Sequence, residues 1–198
     1  MGEKIKDNLL RIVTSGIGDW LYYSIHYNRY EATPYKALDL FFDEYSLRET
    51  DKVIDFGCGK GRVAFYLHDR FNVTVTGVEV NEETYNEAIR NKNSYIQRKK
   101  EKDVPIHFHL GPAEDFKVDR AYNRFYFFNP FSVHIFKKVV GNILDSVEEY
   151  RRSVDIILFY PLPDYQYFLK KSTPFKLIKE VVIPESDDKY DKFLVYRY

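Results

Sequence analysis

The sequence predicts an α/β fold, a three-layer sandwich in which a mostly parallel seven-stranded sheet lies between helices and ends in an antiparallel hairpin. From residue 52 onward, short apolar strands alternate with helical segments, as in a parallel sheet built by crossover helices. The central strands are nearly continuous apolar runs, typical of strands buried on both faces. The last two strands have no long helix between them, so we expect them to pair antiparallel.

Residues 1–50 form a predicted helical N-terminal extension or lid, and residues 51–198 form the core, all within one domain. The stretches LLRIV and DWLYYSIHY each give an apolar helical face. Thr33 and Pro34 predict the start of a further helix, with Thr33 as its N-cap. The apolar residues that follow have helical spacing.

The core elements follow in order along the chain. Strands are predicted at KVIDFG, NVTVTGVEV, VPIHFHL, RFYFFN and VDIILFY, and the closing pair at FKLIKEVVI and KFLVYRY. Helices are predicted at RVAFYLHDRF, after the N-cap Asn81, over residues 133–150 and over about 164–171. The expected buried face of the helix after Asn81 consists of Tyr85, Ala88, Ile89 and Ile96.

Charge and cysteine content limit the classes of partner and compartment. The chain has 30 basic and 30 acidic residues and a formal net charge of zero, which argues against a strongly basic nucleic-acid surface but not against a local patch. The one cysteine, Cys58, allows no intrachain disulfide and fits a reducing compartment. The N-terminus has charges inside its apolar stretch. We therefore expect a soluble cytoplasmic protein with no membrane partner and leave its oligomeric state open.

The strongest local feature is the glycine-rich turn VIDFGCGKGR between the first core strand and its helix. Gly57, Gly59 and Gly61 have the spacing Gly-x-Gly-x-Gly, and Arg62 stands where a dinucleotide fingerprint needs its third glycine. Glycines there allow positive φ and close approach of a ligand to the backbone. Asp55 would repel a phosphate and attract an ammonium or sulfonium group. The turn therefore favours a cationic, amino-acid-bearing nucleoside over a dinucleotide.

The string DFGCGKG resembles the first motif of the class I S-adenosylmethionine (SAM)-dependent methyltransferases. The predicted strand order and closing hairpin resemble the fold of that family over roughly residues 50–198. The resemblance implies SAM as cofactor, with the backbone of the turn at its methionine part and Asp55 near its amino group. The implied cofactor-binding residues of this turn are Asp55, Phe56, Gly57, Cys58, Gly59 and Gly61.

Two later strand ends resemble further motifs of the same family. Glu79 ends the second core strand in GVEVN, where an acid can accept both ribose hydroxyls. Val80 is then expected to pack on the adenine. The loop GPAEDF follows the third core strand, and the resemblance implies that Ala113, Glu114 and Asp115 face the adenine.

The fourth core strand ends in Asn129, Pro130 and Phe131, similar to the Asn-Pro-Pro-Tyr/Phe motif of methyltransferases acting on adenine or glutamine amide nitrogens. The resemblance makes these three the catalytic candidates. It implies that the Asn129 side chain and the following carbonyl accept hydrogen bonds from the reacting NH₂ and that the aromatic ring stacks on it. This chain has one proline where the motif has two, so the amide or adenine class stays open.

A looser resemblance links YNRYEATPY to the segment before the first motif in non-SET histone-lysine methyltransferases. It implies that Tyr30, Glu31, Thr33 and Tyr35 contact substrate or fold over SAM as a lid. The alternative is that Thr33 and Pro34 only begin a helix.

These features together predict an enzyme, a SAM-dependent methyltransferase with a nitrogen acceptor in a protein, a nucleic acid or a small amine. Methylation of pyrimidine carbon five needs a cysteine nucleophile, and Cys58 lies inside the glycine turn. No metal is expected, because the histidines lack zinc spacing and no compact acidic triplet follows the fourth core strand. The alternatives are an inactive SAM-binding sensor or partner subunit and a small dehydrogenase, which Arg62 disfavours.

Overall fold

The computed structural model describes residues 2–16, 26–184 and 186–198. Its helices are α1 (Glu3–Leu10), α2 (Tyr35–Glu44), α3 (Arg62–Phe71), α4 (Glu82–Lys99), α5 (Val133–Glu149) and α6 (Pro163–Ser172). Its strands are β1 (Lys52–Phe56), β2 (Thr74–Glu79), β3 (Ile106–Leu110), β4 (Arg124–Phe128), β5 (Asp155–Phe159), β6 (Lys176–Val182) and β7 (Lys192–Arg197). A 3₁₀ turn, Ala113–Asp115, follows β3.

The strands form one seven-stranded sheet in the order β3-β2-β1-β4-β5-β7-β6. The strands β1 to β5 pair in parallel, whereas β7 pairs antiparallel with both β5 and β6. This arrangement confirms the predicted fold class, including the antiparallel end. The register pairs Phe128 of β4 with Phe159 of β5, so the turns after these two strands lie side by side at the carboxyl edge of the sheet.

A hydrophobic core lies on each face of the sheet. One core takes its side chains from α2, α3, α4 and the facing side of the strands, and the other takes them from α5 and α6. Within the first core, Phe41 of α2 stacks on Phe193 of β7 with 4.3 Å between ring centroids. Helix α2 from the N-terminal segment therefore shares a core with the sheet.

A buried polar cluster holds β5 against β7. The carboxylate of Asp155 is fully buried. It accepts hydrogen bonds from Arg197 Nε (2.7 Å) and Nη2 (2.8 Å) and from the Tyr45 hydroxyl (2.6 Å). Because a buried carboxylate is tolerated when it is fully hydrogen-bonded, these contacts fix the pairing of the closing strand with the parallel part of the sheet.

Two local predictions are corrected by the structure. The N-cap of α2 is Pro34 without a side-chain cap, and Thr33 instead exchanges a hydrogen bond with the Tyr126 hydroxyl (2.8 Å). Because Thr33 is buried and its hydroxyl is bonded to Tyr126, that hydroxyl does not cap α2. In α4 the N-cap Asn81 is confirmed, since its side chain accepts from Thr84 N–H. The buried residues of that helix, however, are Thr84, Ala88, Asn91 and Tyr95.

The predicted helical face DWLYYSIHY, residues 19–27, falls for the most part on residues 17–25, which lie outside the described residues. At its end, Tyr27 forms an isolated antiparallel bridge with Phe131. Among the helices that the structure describes, none is long and apolar enough to cross a membrane.

Candidate functional site

The glycine turn after β1 has a backbone that only glycine adopts readily. Gly57, Gly59 and Gly61 have φ values of 75°, 54° and 87°, in the left-handed region that is costly for other residues. Neighbouring atoms also approach closely. A Cβ added to Gly57 would lie 2.3 Å from Pro130 Cβ, and one added to Gly59 would lie 2.0 Å from a ring carbon of Tyr30. The turn therefore has room for backbone alone.

Asp55, near the end of β1, is a buried carboxyl without a partner. It is 3 % exposed, and it makes no hydrogen bond or ion pair within the described part of the chain. Burial, with a smaller contribution from the charge of Glu79, raises the pKa of Asp55 to about 8. The side chain borders a small cavity shared with Thr33, Arg62 and Tyr126. A cationic group bound beside it would favour its ionised form.

Glu79, at the end of β2, is tied to the glycine turn. Its Oε2 accepts from the Gly59 N–H (2.9 Å), and its Oε1 accepts from the Asn81 N–H (2.8 Å). Burial raises the pKa of Glu79, while the backbone donors at Asn81 and Gly59 oppose that rise. The two acids at the ends of β1 and β2 thus differ: Glu79 has backbone partners and Asp55 has none.

A narrow cavity brings together residues that the sequence assigned to the cofactor. It has a volume of about 30 Å³, far below the roughly 300–1,000 Å³ of a typical small-molecule pocket. Among its lining residues are Gly57, Glu79, Val80 and Ala113. The segment of residues 27–31 lines its other side. The cavity is therefore small because the chain itself fills the space above the glycine turn.

Other predicted cofactor residues lie elsewhere. The Phe56 side chain is fully buried in the core and stacks on Phe127 at 5.1 Å, so only its backbone reaches the turn. Cys58 is buried and free. Asp115 is exposed outside the cavity. Glu114 accepts a hydrogen bond from the Tyr27 hydroxyl (2.7 Å).

The turn after β4 holds Asn129 in a strained conformation, with φ of 40°. Such backbone strain in a residue other than glycine clusters at functional sites. Both Asn129 oxygens face the carboxamide of Asn28, which donates to the backbone oxygen (2.8 Å) and to Oδ1 (3.2 Å). Phe131 is 1 % exposed and packs edge-on against Phe127 and Tyr27. The stacking role expected for Phe131 is therefore not supported, because the shortened turn directs its ring into the core.

A larger cavity of about 550 Å³ opens at the carboxyl ends of β4 and β5. Most of the residues that line this cavity were not predicted from the sequence. Tyr160, directly after β5, has φ of 53°, and its hydroxyl donates to Asp188 Oδ2 (2.5 Å). The signal that could have revealed Tyr160 is its place at the carboxyl end of a buried strand, directly before Pro161. The lining residues are Asn28, Arg29, Glu31, Pro34, Phe128, Asn129, Phe159, Tyr160, Asp188 and Asp191.

The four predicted substrate or lid residues separate into two groups. The Tyr30 ring covers Gly59, and the exposed Glu31 lines both the narrow and the larger cavity. Thr33 is buried against Tyr126, as described above. Tyr35 is 1 % exposed and donates to Asp7 Oδ1 (2.7 Å). Tyr35 therefore belongs to the core of the N-terminal segment rather than to the cleft.

Arg62 stands where a dinucleotide fingerprint needs its third glycine. In the structure its side chain is buried and links segments of the fold. It is 4 % exposed. Its Nε donates to Thr14 Oγ1 (2.7 Å), its Nη1 donates to the Thr33 carbonyl (3.2 Å), and it pairs with Glu3. It thus links α1, α3 and the segment before α2. In residues 2–16, 26–184 and 186–198, no group of three or more His, Cys, Asp or Glu side chains could hold a metal ion.

Several solved structures with the same fold are named as methyltransferases. A putative RNA methyltransferase from Pyrococcus horikoshii aligns with a TM-score of 0.60 and 17 % identity, covering 98 % of this chain and 96 % of that one. The tRNA (uracil-54, C5)-methyltransferase of Pyrococcus abyssi, solved with S-adenosyl-L-homocysteine, gives 0.57 and 17 % over 82 % of this chain. This chain spans 38 % of that enzyme's length. At these identities the likeness shows the fold.

A protein from Methanosarcina mazei described as a SAM-dependent methyltransferase aligns with a TM-score of 0.59 and 15 % identity, over 79 % of this chain and 95 % of that one. No curated protein matches the sequence. The family model described as "Methyltransferase domain" matches residues 53–152, which is half of the chain and spans β1 to the end of α5. The chain therefore belongs to the methyltransferase-domain family, as a class I SAM-dependent methyltransferase.

Proposed function

We propose that this enzyme transfers the methyl group of SAM to a nitrogen acceptor held at Asn129. One observation carries the proposal: the Asn129 side-chain and backbone oxygens both accept hydrogen bonds from one NH₂ group, that of Asn28. The turn after β4 can therefore bind an amino group through two oxygens. Pro130 of the same turn packs against Gly57, which places the acceptor turn directly beside the glycine turn.

The residues around the glycine turn fit SAM. Asp55 is buried and lacks a partner, so the ammonium group of a bound amino acid would supply the missing charge. Each Glu79 carboxylate oxygen has a second lone pair beside its backbone donor, so Glu79 can also accept hydrogen bonds from ribose hydroxyls. Val80 and Ala113 supply apolar surface for the adenine. When bound, SAM supplies an activated methyl group.

The protein's own part in the reaction is to position the acceptor and remove water. Asn129 orients the acceptor nitrogen through hydrogen bonds to its N–H groups, which leaves the lone pair directed away from the turn. A nitrogen that arrives uncharged needs no strong base. The ring of Phe128, which is half-buried, packs on the buried ring of Phe159 behind the turn, and together they limit the access of water.

For the acceptor, we propose an amine on a small molecule or protein rather than a nucleic acid. The larger cavity carries three acids, Glu31, Asp188 and Asp191, against one base, Arg29. An acidic lining repels a phosphate backbone, and nucleic-acid binding depends on basic contacts. The formal net charge of zero agrees with this choice. The single buried Cys58 supports a cytoplasmic location.

The experiment is a transfer assay with labelled SAM and cell extract separated into protein, RNA and small-molecule fractions. We expect label in the protein or small-molecule fraction. Asn129→Ala should lower the transfer rate about a hundredfold while binding S-adenosylhomocysteine at least as tightly as the wild type. Asn93→Ala, on the exposed face of α4, is the matched control and should transfer normally.

Three results would contradict parts of the proposal. Label only in RNA would overturn the acceptor class. Normal transfer by Asn129→Ala would overturn the role of Asn129. Tight binding of S-adenosylhomocysteine without transfer to any fraction would favour the SAM-binding sensor over the enzyme.

A further inference from the structure

The segment of residues 26–31, here called the strap, crosses the turn that follows β4. Tyr27 bridges Phe131 in antiparallel fashion. The Asn28 N–H donates to the Pro130 carbonyl (2.9 Å), and the Ser132 N–H donates to the His26 carbonyl (2.7 Å). The strap thus pairs with the turn after β4, here called the acceptor turn, through one antiparallel bridge and two backbone hydrogen bonds.

The Asn28 side chain occupies the place proposed for the reacting amino group. Its Nδ2 donates to the Asn129 backbone oxygen (2.8 Å) and to Asn129 Oδ1 (3.2 Å). The group that makes these bonds is itself a planar NH₂ with two donors. An acceptor cannot use the same Asn129 oxygens until the Asn28 carboxamide leaves them.

The Tyr30 ring occupies the place above the glycine turn. Tyr30 is 9 % exposed, and its ring lies so close to Gly59 that a Cβ there would be 2.0 Å away. Its hydroxyl donates to the Thr14 carbonyl (2.6 Å), and the Lys60 ammonium lies 5.5 Å from the ring centroid. A ligand that approaches Gly59 from the side where a Cβ would stand must displace this ring.

A third strap residue engages the loop assigned to the adenine. The Tyr27 hydroxyl donates to Glu114 Oε2 (2.7 Å). The strap therefore contacts all three parts of the proposed site: the glycine turn, the adenine loop and the acceptor turn. Its closure accounts for the small volume of the cavity, about 30 Å³.

We propose that the strap is an internal competitor of both ligands, with Tyr30 over the cofactor position and Asn28 as a pseudosubstrate on Asn129. The inference rests on the proposed function and adds its regulation. Cofactor binding opens the strap and so also frees Asn129 for the acceptor. The enzyme then binds its ligands in order, cofactor first. If the strap is closed in nine of ten free molecules, the apparent dissociation constant of the cofactor is about tenfold above its intrinsic value.

The first test measures S-adenosylhomocysteine binding by titration calorimetry. Tyr30→Ala should bind about tenfold more tightly than the wild type, because no ring has to be displaced. Tyr167→Ala, which removes an exposed tyrosine of α6, is the matched control and should bind like the wild type. Unchanged or weaker binding by a folded Tyr30→Ala would overturn the inference while the proposed function stands. Absence of binding to every one of these proteins would overturn both.

The second test does not depend on a variant. Hydrogen exchange of the Asn28 and Ser132 amides in the wild-type protein reports the strap directly, since both donate across it. Both should be protected in the free protein and exchange faster with S-adenosylhomocysteine bound. Equal or greater protection with S-adenosylhomocysteine would show a strap that closes over the cofactor, and the competitor role would be excluded.

Discussion

The carboxyl ends of β1 and β2 differ from those of β4 and β5 in how their geometry is fixed. At β1 and β2, glycines with positive φ and two buried acids shape a cavity of about 30 Å³. At β4 and β5, Asn129 and Tyr160 adopt positive φ without being glycine and border a cavity of about 550 Å³. The conformation of the backbone shapes the first region, here called the cofactor region. Side chains shape the second, here called the acceptor region.

This difference indicates which part of the site suits a ligand shared by many enzymes and which part suits a ligand particular to one enzyme. A backbone cradle with fixed acids suits one ligand of constant shape, the cofactor. Side chains on loops can be exchanged without altering the fold, so they suit the acceptor, which differs between enzymes of one fold. Variants in the two regions should therefore affect different steps, cofactor binding in the first and acceptor binding in the second.

Gly57→Ala should change the conformation of the glycine turn and so weaken the binding of SAM. The added Cβ would lie 2.3 Å from Pro130 Cβ at a φ of 75°, so the turn must shift. We expect the affinity for SAM, measured by calorimetry, to fall by at least about a hundredfold. The free energy of unfolding, measured by urea denaturation, should decrease by about 2 kcal/mol. Gly141→Ala, a helical position with open space, should bind normally. Wild-type affinity for SAM in Gly57→Ala would show that the backbone of the glycine turn does not hold the cofactor.

Asp55→Asn should separate binding from stability. The pKa of Asp55 is about 8 in the folded protein against an ordinary value of 3.8. Between these values the folded protein keeps a proton that the unfolded chain releases, so the free energy of unfolding falls as pH rises. The amide of Asp55→Asn does not ionise, so the stability of the variant does not fall with pH in this way. The variant should exceed the wild type in stability by about 5 kcal/mol at about pH 8 and by about 2 kcal/mol at about pH 5, and bind SAM poorly.

Urea denaturation at the two pH values measures the Asp55→Asn effect, and Asp145→Asn on the exposed face of α5 is the control. An Asp55→Asn protein that is less stable than the wild type at about pH 8 would show that the carboxylate has a partner in the folded chain.

Thr33→Val tests whether Thr33 belongs to the fold or to the cofactor region. It removes the buried hydrogen bond to the Tyr126 hydroxyl (2.8 Å), so we expect a loss of about 1 kcal/mol in stability and SAM affinity within about twofold of wild type. Tyr126→Phe should cost a similar amount, and the double variant less than the sum. If Thr33→Val keeps its stability but fails to bind SAM, the lid role implied by the histone-lysine methyltransferases is correct.

Tyr160→Phe should give the smallest effect and touch only the acceptor region. It removes the exposed hydrogen bond to Asp188, so the free energy of unfolding should change by less than about 0.5 kcal/mol. We expect the KM for the acceptor to rise about threefold with kcat and SAM affinity unchanged, measured by steady-state kinetics. A fall in SAM affinity would mean that the two regions are not separate.

The sequence was informative where the structural signal is local. The glycine turn, the N-cap Asn81 and the closing hairpin each depend on a few adjacent residues, and the structure confirms the N-cap and the mostly parallel seven-stranded sheet with its antiparallel end. Thr33 was misread because a buried partner, Tyr126, lies 93 positions away. The contact between Asn28 and Asn129 spans 101 positions. Such pairs arise from the folded arrangement and leave no periodic trace in the chain.

Titration calorimetry of the wild-type protein with SAM, S-adenosylhomocysteine and NAD shows directly whether the glycine turn binds SAM. The geometry of Asp55, Glu79 and the glycine turn predicts binding of SAM and S-adenosylhomocysteine at one site, no heat with NAD, and a large loss of SAM affinity in Asp55→Asn. Heat with NAD and none with either sulfur nucleoside would contradict the account.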